Sequence, residues 1–532
     1  MGSARLRPWV LFLVGISLAS GGQASDNTAE GPRASVDTSL VSASGRTLAV
    51  PAGGSLQSAL DQAQSGDLIT LEPGATYTGP FTLPRKEGSQ WITIRTSTPD
   101  SSLPPGRRAD PSHAHLMPKL VAPSGAVLST AAGAHHYRLI GVEVAPREDT
   151  FLVNLVELGW RPGASDELAH HLVIDRCYLH GDPRKGTRRG VALNSRDAAI
   201  VDSYLADFKE VGADSQAIAG WGGPGPFKVV NNYLEAAGEN LMFGGADPSI
   251  RDLVPADIEI RQNYFVKPLA WKAGEAAYAG QAWTVKNLLE LKNARRVLIQ
   301  GNVFEHNWAQ AQNGFAILFT VRNQDGRAPW SAVEDVTFAD NVVRHAGSAI
   351  NILGRDDNHP SQAVRRIAIR NNLFEDVGGG RWGGKGTLVQ ILNGTADVVV
   401  EQNTALQTGS IIVAEGPAPH ERFVYRRNIA PQNEYGVIGT GSGPGHATLQ
   451  RYFPGAVFEQ NVIVGGDAGR YPRNNFFPGS LEAVGFASLA TGDYRLDERS
   501  RYRRAAGGRD PGADVLLLQA TLAQTAPLAP PR

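Results

Sequence analysis

The chain has 532 residues, a formal net charge of -1, 60 glycines, 33 prolines, three methionines and one cysteine. Near-neutral charge removes any global reason to expect a nucleic-acid partner, so a polyanion must be held by a local patch. High Gly and Pro favour turn-rich β structure over helix bundles, and a lone Cys177 forbids an intramolecular disulfide.

Arg5 and Arg7 precede the apolar run "WVLFLVGISLA", which is followed by "SGGQAS" with Ala24 at a plausible cleavage point. This reads as a secretory signal peptide over residues 1–24, too short for a comfortable membrane span. No second long apolar run follows, so the mature chain is expected to be exported, extracellular or periplasmic, without a membrane span. Residues 25–45 are Ser-, Ala- and Gly-rich and read as a linker. "SLQSALDQAQSGD" then offers Ser55 as an N-cap and Leu56, Leu60 and Ala63 on one face, suiting a cap helix.

From there a short unit recurs, in which apolar alternation leads into an Asx residue and then an aromatic or aliphatic one. Copies include "LVIDRCYLH", "KVVNNYLEA", "VLIQGNVFE" and "IAIRNNLFE". The repeated position falls at Arg176, Ser203, Asn232, Asn263, Asn302, Asn341, Asn372, Asn403, Asn428 and Asn461. The spacing runs from 25 residues (Asn403 to Asn428) to 39 (Asn263 to Asn302), the signature of a solenoid. The units hold short alternating strands and no amphipathic helix, which points to an all-β, single-stranded right-handed parallel β-helix of about 10 to 12 coils with an N-terminal cap helix. Asparagines stacked at coil spacing would form a hydrogen-bonded ladder.

A second strand follows each motif, among them "VNLVEL", "NLMFGG", "NLLELKN", "FAILFTVR" and "AINILG". If these form one sheet, the long polar loops "GGADPSIRDLVPAD", "VRNQDGRAPWSAVED" and "GRDDNHPSQAVRR" emerge along one side. Alternation in "NLLELKN" puts Leu289 and Leu291 inward and Leu288, Glu290 and Lys292 outward; in "FAILFTVRN" it puts Phe315, Ile317 and Phe319 inward and Leu318, Thr320 and Arg322 outward. Lys292 and Arg322 then share an outer face, with Asp247, Asn323, Asp325, Arg355, Asp356 and Asp357 on adjoining loops. "GDYRLDERSRYRRAAGGRDPGADVLLLQA" is expected to close the far end of a domain spanning 46–518, and 519–532 reads as a disordered Pro/Ala tail.

The opening "GGSLQSALDQAQSGDLITLEPGATYTGPFTL", the Asn-punctuated coils and "RDPGADV" resemble secreted right-handed parallel β-helix proteins of the pectate-lyase-like superfamily. The order "LLELKNARRVLIQGNVFEHN" then "FTVRNQDG" is similar to the chondroitinase B and alginate lyase type of polysaccharide lyase. That resemblance implies β-elimination on an acidic, uronate-containing polysaccharide, with Lys292 as base and Arg322 on the acid side or binding the carboxylate. It allows Ca²⁺ as a cofactor, with Glu290 the one matching ligand. Arg322 is followed here by Asn323 and Gln324, where that family has His and Gly.

The residues support the same chemistry: eliminating beside a carboxylate needs a base with an accessible neutral form and cations that hold the growing charge. Glu290, Asp247, Asn323, Asp325, Arg355 and Asp356 are the candidate polar binding groups, and Trp221 and Trp330 the candidate stacking surfaces for sugar rings. Two readings stand beside the lyase: a glycoside hydrolase using paired aspartates such as Asp356 and Asp357, and a non-catalytic carbohydrate-binding or surface scaffold. The histidines at 113, 115, 135, 136, 170 and 171 show no recurring metal-ligand spacing, so no zinc site is expected. The expected partner is a polysaccharide, and the expected state a monomer.

Overall fold

The computed structural model describes residues 28–159 and 164–526; the signal sequence expected over 1–24 and the last residues of the expected tail lie outside them. Three parallel sheets run the length of the chain. The first has 14 strands, from Thr47–Val50 to Val457–Glu459; the second 13, from Thr76–Thr78 to Val462–Val464; the third 12, from Phe81–Leu83 to Val437–Gly439. Each coil contributes one strand to each sheet in turn, giving a right-handed parallel β-helix. The 12 strands of the third sheet match the upper end of the expected coil number, and the first and second sheets extend one or two strands further.

One coil shows how the sequence does this. Ala294–Gln300 belongs to the first sheet, Val303–Asn307 to the second and Phe315–Thr320 to the third. The next coil repeats it in register, pairing Val297 with Val336, Phe304 with Val343 and Ile317 with Ile350. All six side chains are buried in one continuous core. Like thus stacks on like at about 4.8 Å per coil.

Between first and second sheets the chain turns at a single residue of positive φ, such as Gly301 (66°), Asp340 (58°), Asn371 (54°) or Gln402 (57°). The next residue is the ladder asparagine. Asn302 Nδ2 donates to Asn341 Oδ1 at 3.0 Å and to the Ile260 carbonyl at 2.9 Å, and Asn302 Oδ1 accepts from Asn263. The same links join Asn232 to Asn263 and continue through Asn341, Asn372, Asn403, Asn428 and Asn461 to Asn475. Arg176 corrects the sequence alignment by one residue. It is the left-handed turn residue (φ 52°), and Cys177 takes the ladder position, its N–H donating to Ser203 Oγ at 3.0 Å.

Helix α1 (Leu56–Gln62) lies against the first strands, with Ser55 capping it through the Ser58 N–H and Leu56, Ala59 and Leu60 buried. Helix α2 (Gly379–Trp382) is a single turn within a loop. The opposite end is covered by helix α3 (His446–Tyr452), which puts Leu449 and Tyr452 into the main core. The segment expected to close that end instead folds back along the outside of the second sheet. Tyr494 donates to Glu375 at 2.6 Å, and helix α4 (Val515–Thr525) lays Val515 and Leu518 on Val303, Val342 and Leu373. That outer face carries apolar and tyrosine side chains, which gain by being covered. α4 also takes in residues 519–525 of the stretch read as tail.

The stretch read as a linker makes specific contacts on the first sheet. Val36 is buried against Val173, Ala199 and Val201, and Arg138 donates to the Thr38 and Ser39 carbonyls at 2.8 and 2.7 Å. Further along, Arg33 N–H donates to Asp257 and Glu30 N–H to Asp335. Among the described residues no helix is long and apolar enough to cross a membrane.

Asn302 is buried at the middle of the ladder with both amide groups engaged. Asn302→Ala should therefore leave the Asn263 amide and the Ile260 carbonyl short of partners and lower stability by roughly 2–5 kcal/mol. The measurement is the shift of the urea midpoint; a change below the error of that midpoint would show the ladder to be dispensable.

Candidate active site

The outer face of the third sheet carries an open groove of about 530 Å³. Its floor is set by register: Glu290, Leu318 and Asn351 line it and align across successive strands, in a column that continues to Met242 on one side and Gln390 on the other. Leu318, Leu353 and Leu392 supply an apolar strip, and Thr320 and Asn351 polar positions beside it. The strand starts depart from simple alternation. Leu288 and Ala316 are buried in the main core, whereas Phe315 turns outward and lines the groove. Asn240, the neighbour of Leu288 in the preceding coil, also points inward, donating to the Leu234 and Val266 carbonyls. The chain enters the sheet from a corner, and the corner turns two consecutive side chains inward.

Glu290, Lys292, Arg322, Asn323 and Asp356 all line this groove, together with Asp357 and Asn358. Lys292 Nζ lies 3.6 Å from Glu290 Oε1, an ion pair with little exposure. Glu290 is held in turn by the Thr320 hydroxyl at 3.1 Å and the Asn287 amide at 3.2 Å. Lys292 has room because Gly244 and Gly245 occupy the preceding coil, both at positive φ (98° and 83°). A Cβ on Gly244 would stand 2.7 Å from the Lys292 Cβ and 2.8 Å from the Asn293 nitrogen.

Arg322 follows one coil on, its N–H donating to the Lys292 carbonyl at 2.9 Å. Its guanidinium donates to Asp356 Oδ1 at 2.7 Å and also contacts Asp357 Oδ1. Burial opposes the charge of Arg322, but the hydrogen bonds and charges of Asp357 and Asp356 outweigh it and raise its pKa above the ordinary value. Burial likewise works against the Asp356 carboxylate and is outweighed by the Asn358 and Asn323 N–H groups and by Arg322, so its pKa is lowered. The two partners differ in access: the Asp356 side chain is 1% exposed and the Asp357 side chain 55%. A glycoside hydrolase would need one carboxyl held protonated, and Asp356 is pushed the other way.

Other candidate residues lie outside the groove lining. Asp247 organises the neighbouring loop by accepting from the Asp325 and Arg327 N–H groups at 3.1 and 2.9 Å. Asp325 pairs with Arg327 at 2.8 Å, and Arg355 is exposed. Trp330 donates to the Leu253 carbonyl and packs its loop, while Trp221 lies beside the Arg189 guanidinium, 5.5 Å from the ring centre. Trp271, Trp283, Trp308 and Trp382 gather in a separate buried cluster. Sequence reasoning missed Gln312, Asn313, Asn351 and Asn358 as groove residues. Asn351 could have been found, since it aligns with Leu318 once the strands are stacked.

A Ca²⁺ ion in this face would need six to eight oxygens with uncompensated charge. Lysines already neutralise the carboxylates there: Lys286 pairs with Asp214 at 2.6 Å and Glu239 at 3.3 Å, and Lys292 with Glu290. This donor set does not fit the ion. The histidine pairs that show no ligand spacing in the sequence are in contact: His135 stacks on His170 and His136 on His171, with centroids 4.8 and 4.3 Å apart. Burial holds His136 and His170 down to about 4, helped by the neighbouring cationic and histidine side chains.

No protein-family profile and no curated protein matches the chain. Solved structures do. The PL6 family alginate lyase AlyGC superposes with a TM-score of 0.57 at 15% identity, covering 91% of this chain and 59% of that one. The fold is a parallel β-helix. The catalytic unit of a thermostable GH87 α-1,3-glucanase from Streptomyces thermodiastaticus strain HF3-3 gives a TM-score of 0.48 at 12% identity, covering 83% and 71%. Pectate lyase Pel9A gives 0.38 at 13%, covering 88% and 96%. The chain thus spans about three fifths of the length of AlyGC, and the likeness is one of fold.

Gly244→Ala should combine backbone strain with a clash against the Lys292 stem, costing about 1–3 kcal/mol. Gly274→Ala, at φ 90° with open space around it, is the control for strain alone. Thermal unfolding of both should show the larger drop at Gly244; equal drops would mean that Lys292 does not depend on that glycine.

Proposed function

We propose that the protein is an exported polysaccharide lyase that cleaves a uronate-containing chain by β-elimination in the groove of the third sheet. The observation that supports this most is the convergence of Lys292 and Arg322, from successive coils, on one polar groove with an apolar strip along its floor. The strip suits the C–H faces of sugar rings, Arg322 suits a carboxylate, and Lys292 supplies an amine to the same groove. AlyGC is described as an alginate lyase, which makes alginate the first substrate to try.

The uronate carboxylate binds Arg322, displacing the exposed Asp357 while buried Asp356 keeps the guanidinium in place. Neutralising the carboxylate stabilises the carbanionic charge that develops at C5. Lys292 Nζ, paired with Glu290 at rest, first gives a proton to solvent; its freed lone pair then takes the C5 proton, the electron pair forms the C4–C5 double bond and the C4–O bond breaks. The leaving oxygen is protonated from solvent. Glu290, held by Thr320 and Asn287, positions Lys292 from behind.

A panel of alginate, polygalacturonate and chondroitin sulfate tests the reading through the ultraviolet absorbance of unsaturated uronate. Lys292→Ala should lower turnover about 10²- to 10⁴-fold, the ordinary worth of a positioned base. Arg322→Ala should abolish most of the remaining rate, and Asp357→Asn should lower KM without lowering kcat. New reducing ends without absorbance would overturn elimination in favour of hydrolysis. Glycan binding with no turnover on any substrate would leave a binding scaffold.

A further inference from the structure

A second cluster lies on the outer face of the second sheet, away from the groove lining. His306, His345 and Asp376 occupy one column on successive coils, each at positive φ (61°, 58° and 50°). The left-handed residue interrupts alternation, so Glu305 and His306, neighbours in sequence, face the same side. Glu305 Oε1 then stands 3.7 Å from His306 Nε2 and 3.7 Å from His345 Nε2. The three ligand atoms all fall within 4.8 Å of one another.

The hydrogen bonds around these atoms select the free lone pairs. Glu305 Oε2 is taken by Arg344 at 2.9 Å and by the Tyr264 hydroxyl, leaving Oε1 toward the histidines. His345 Nδ1 lies 2.8 Å from Asp376 Oδ2, so Nδ1 carries the proton and Nε2 presents its lone pair to the centre. The Trp382 indole N–H fixes the same Asp376 oxygen at 2.8 Å, and its ring lies over both imidazoles, 5.5 and 5.6 Å between centroids. A carboxylate that orients a histidine through its far nitrogen is the usual outer support of a metal-bound imidazole. Ligands at 2.0–2.2 Å from a tetrahedral ion stand about 3.4 Å apart, close to the two 3.7 Å separations from Glu305, with the third pair within 4.8 Å.

We propose that Glu305, His306 and His345 bind a divalent transition-metal ion of the zinc class, with Asp376 as positioning residue. Two imidazoles and one carboxylate favour Zn²⁺ or Co²⁺ over oxygen-seeking Mg²⁺ and Ca²⁺. The site is independent of the lyase reading. It does touch the groove wall: the Ala309 N–H donates to the Trp382 carbonyl, and residues 311–313 of the same loop line the groove. A bound ion would hold Trp382 and that loop against the stack.

The test uses tag-free full-length protein, stripped with chelator and titrated with Co²⁺ and then Zn²⁺. The expected result is one equivalent of Co²⁺ with visible absorbance, displaced by Zn²⁺, and a thermal midpoint raised by Zn²⁺. His306→Gln with His345→Gln should lose both signals. Asp376→Asn should weaken binding about 10- to 100-fold. His136→Ala with His171→Ala, which breaks the other histidine cluster, should keep both. Circular dichroism of the metal-free variants separates lost ligands from lost fold, and Glu305→Gln supplies a second ligand variant if the double histidine variant does not fold. No uptake by the native chain overturns the proposal, and so does uptake that survives the ligand substitutions or disappears only with His136 and His171.

Discussion

The interaction on which everything else depends is the backbone hydrogen bonding between successive coils. Parallel strands joined along the stack fix a spacing of about 4.8 Å and force each residue to sit over its counterpart one coil earlier. A buried amide at the turn can then be satisfied by a matching amide above and below it together with a backbone carbonyl, which is what the run from Asn232 to Asn475 provides. The same register builds the core, placing Val297 on Val336 and Ile317 on Ile350. Ladder and core are two consequences of one constraint, so a register slip would damage both together.

Register also brings distant residues into one site. Lys292 and Arg322 are far apart in sequence and one coil apart in space, as are Glu290 and Thr320, and His306 and His345. Metal-ligand spacing searched for within a single segment therefore has no meaning in this fold. The histidine pairs at 135, 136, 170 and 171 stack because the register pairs His135 with His170. A coil-length interval between ligands is the pattern to look for, and loop-length variation blurs it.

The repeat, the parallel sheets and the strands of the third sheet were legible because alternation and Asn punctuation recur often enough to outweigh local noise. Errors arose where one residue breaks the pattern. Arg176 reads as the ladder position because polar residues flank the turn, and only its positive φ separates it from Cys177. Leu288 and Phe315 were misplaced because strand starts at a corner do not alternate. In the groove, Glu290, Lys292, Arg322, Asn323 and Asp356 could be placed together by stacking strands. Asp247, Asp325 and Trp330 could not, because loop direction depends on contacts that no periodicity encodes, such as the Asp325 and Arg327 N–H groups on Asp247.

The charge balance of the groove explains how such a site can be both stable and receptive. Lys292 and Arg322 face Glu290, Asp356 and Asp357, so neither cation is buried without a carboxylate. A buried lone guanidinium would cost several kcal/mol in desolvation, which Asp356 offsets at 2.7 Å. Asp357 is different: half in solvent, it loses little by leaving. On the proposed reading, an incoming carboxylate takes its place on Arg322 while Asp357 passes to solvent, so the exchange leaves no buried charge unpaired. On the proposed lyase reading, specificity falls to the fixed part of the groove, where the leucine strip and the amides of Asn351, Gln312 and Asn313 would meet the rest of the sugar.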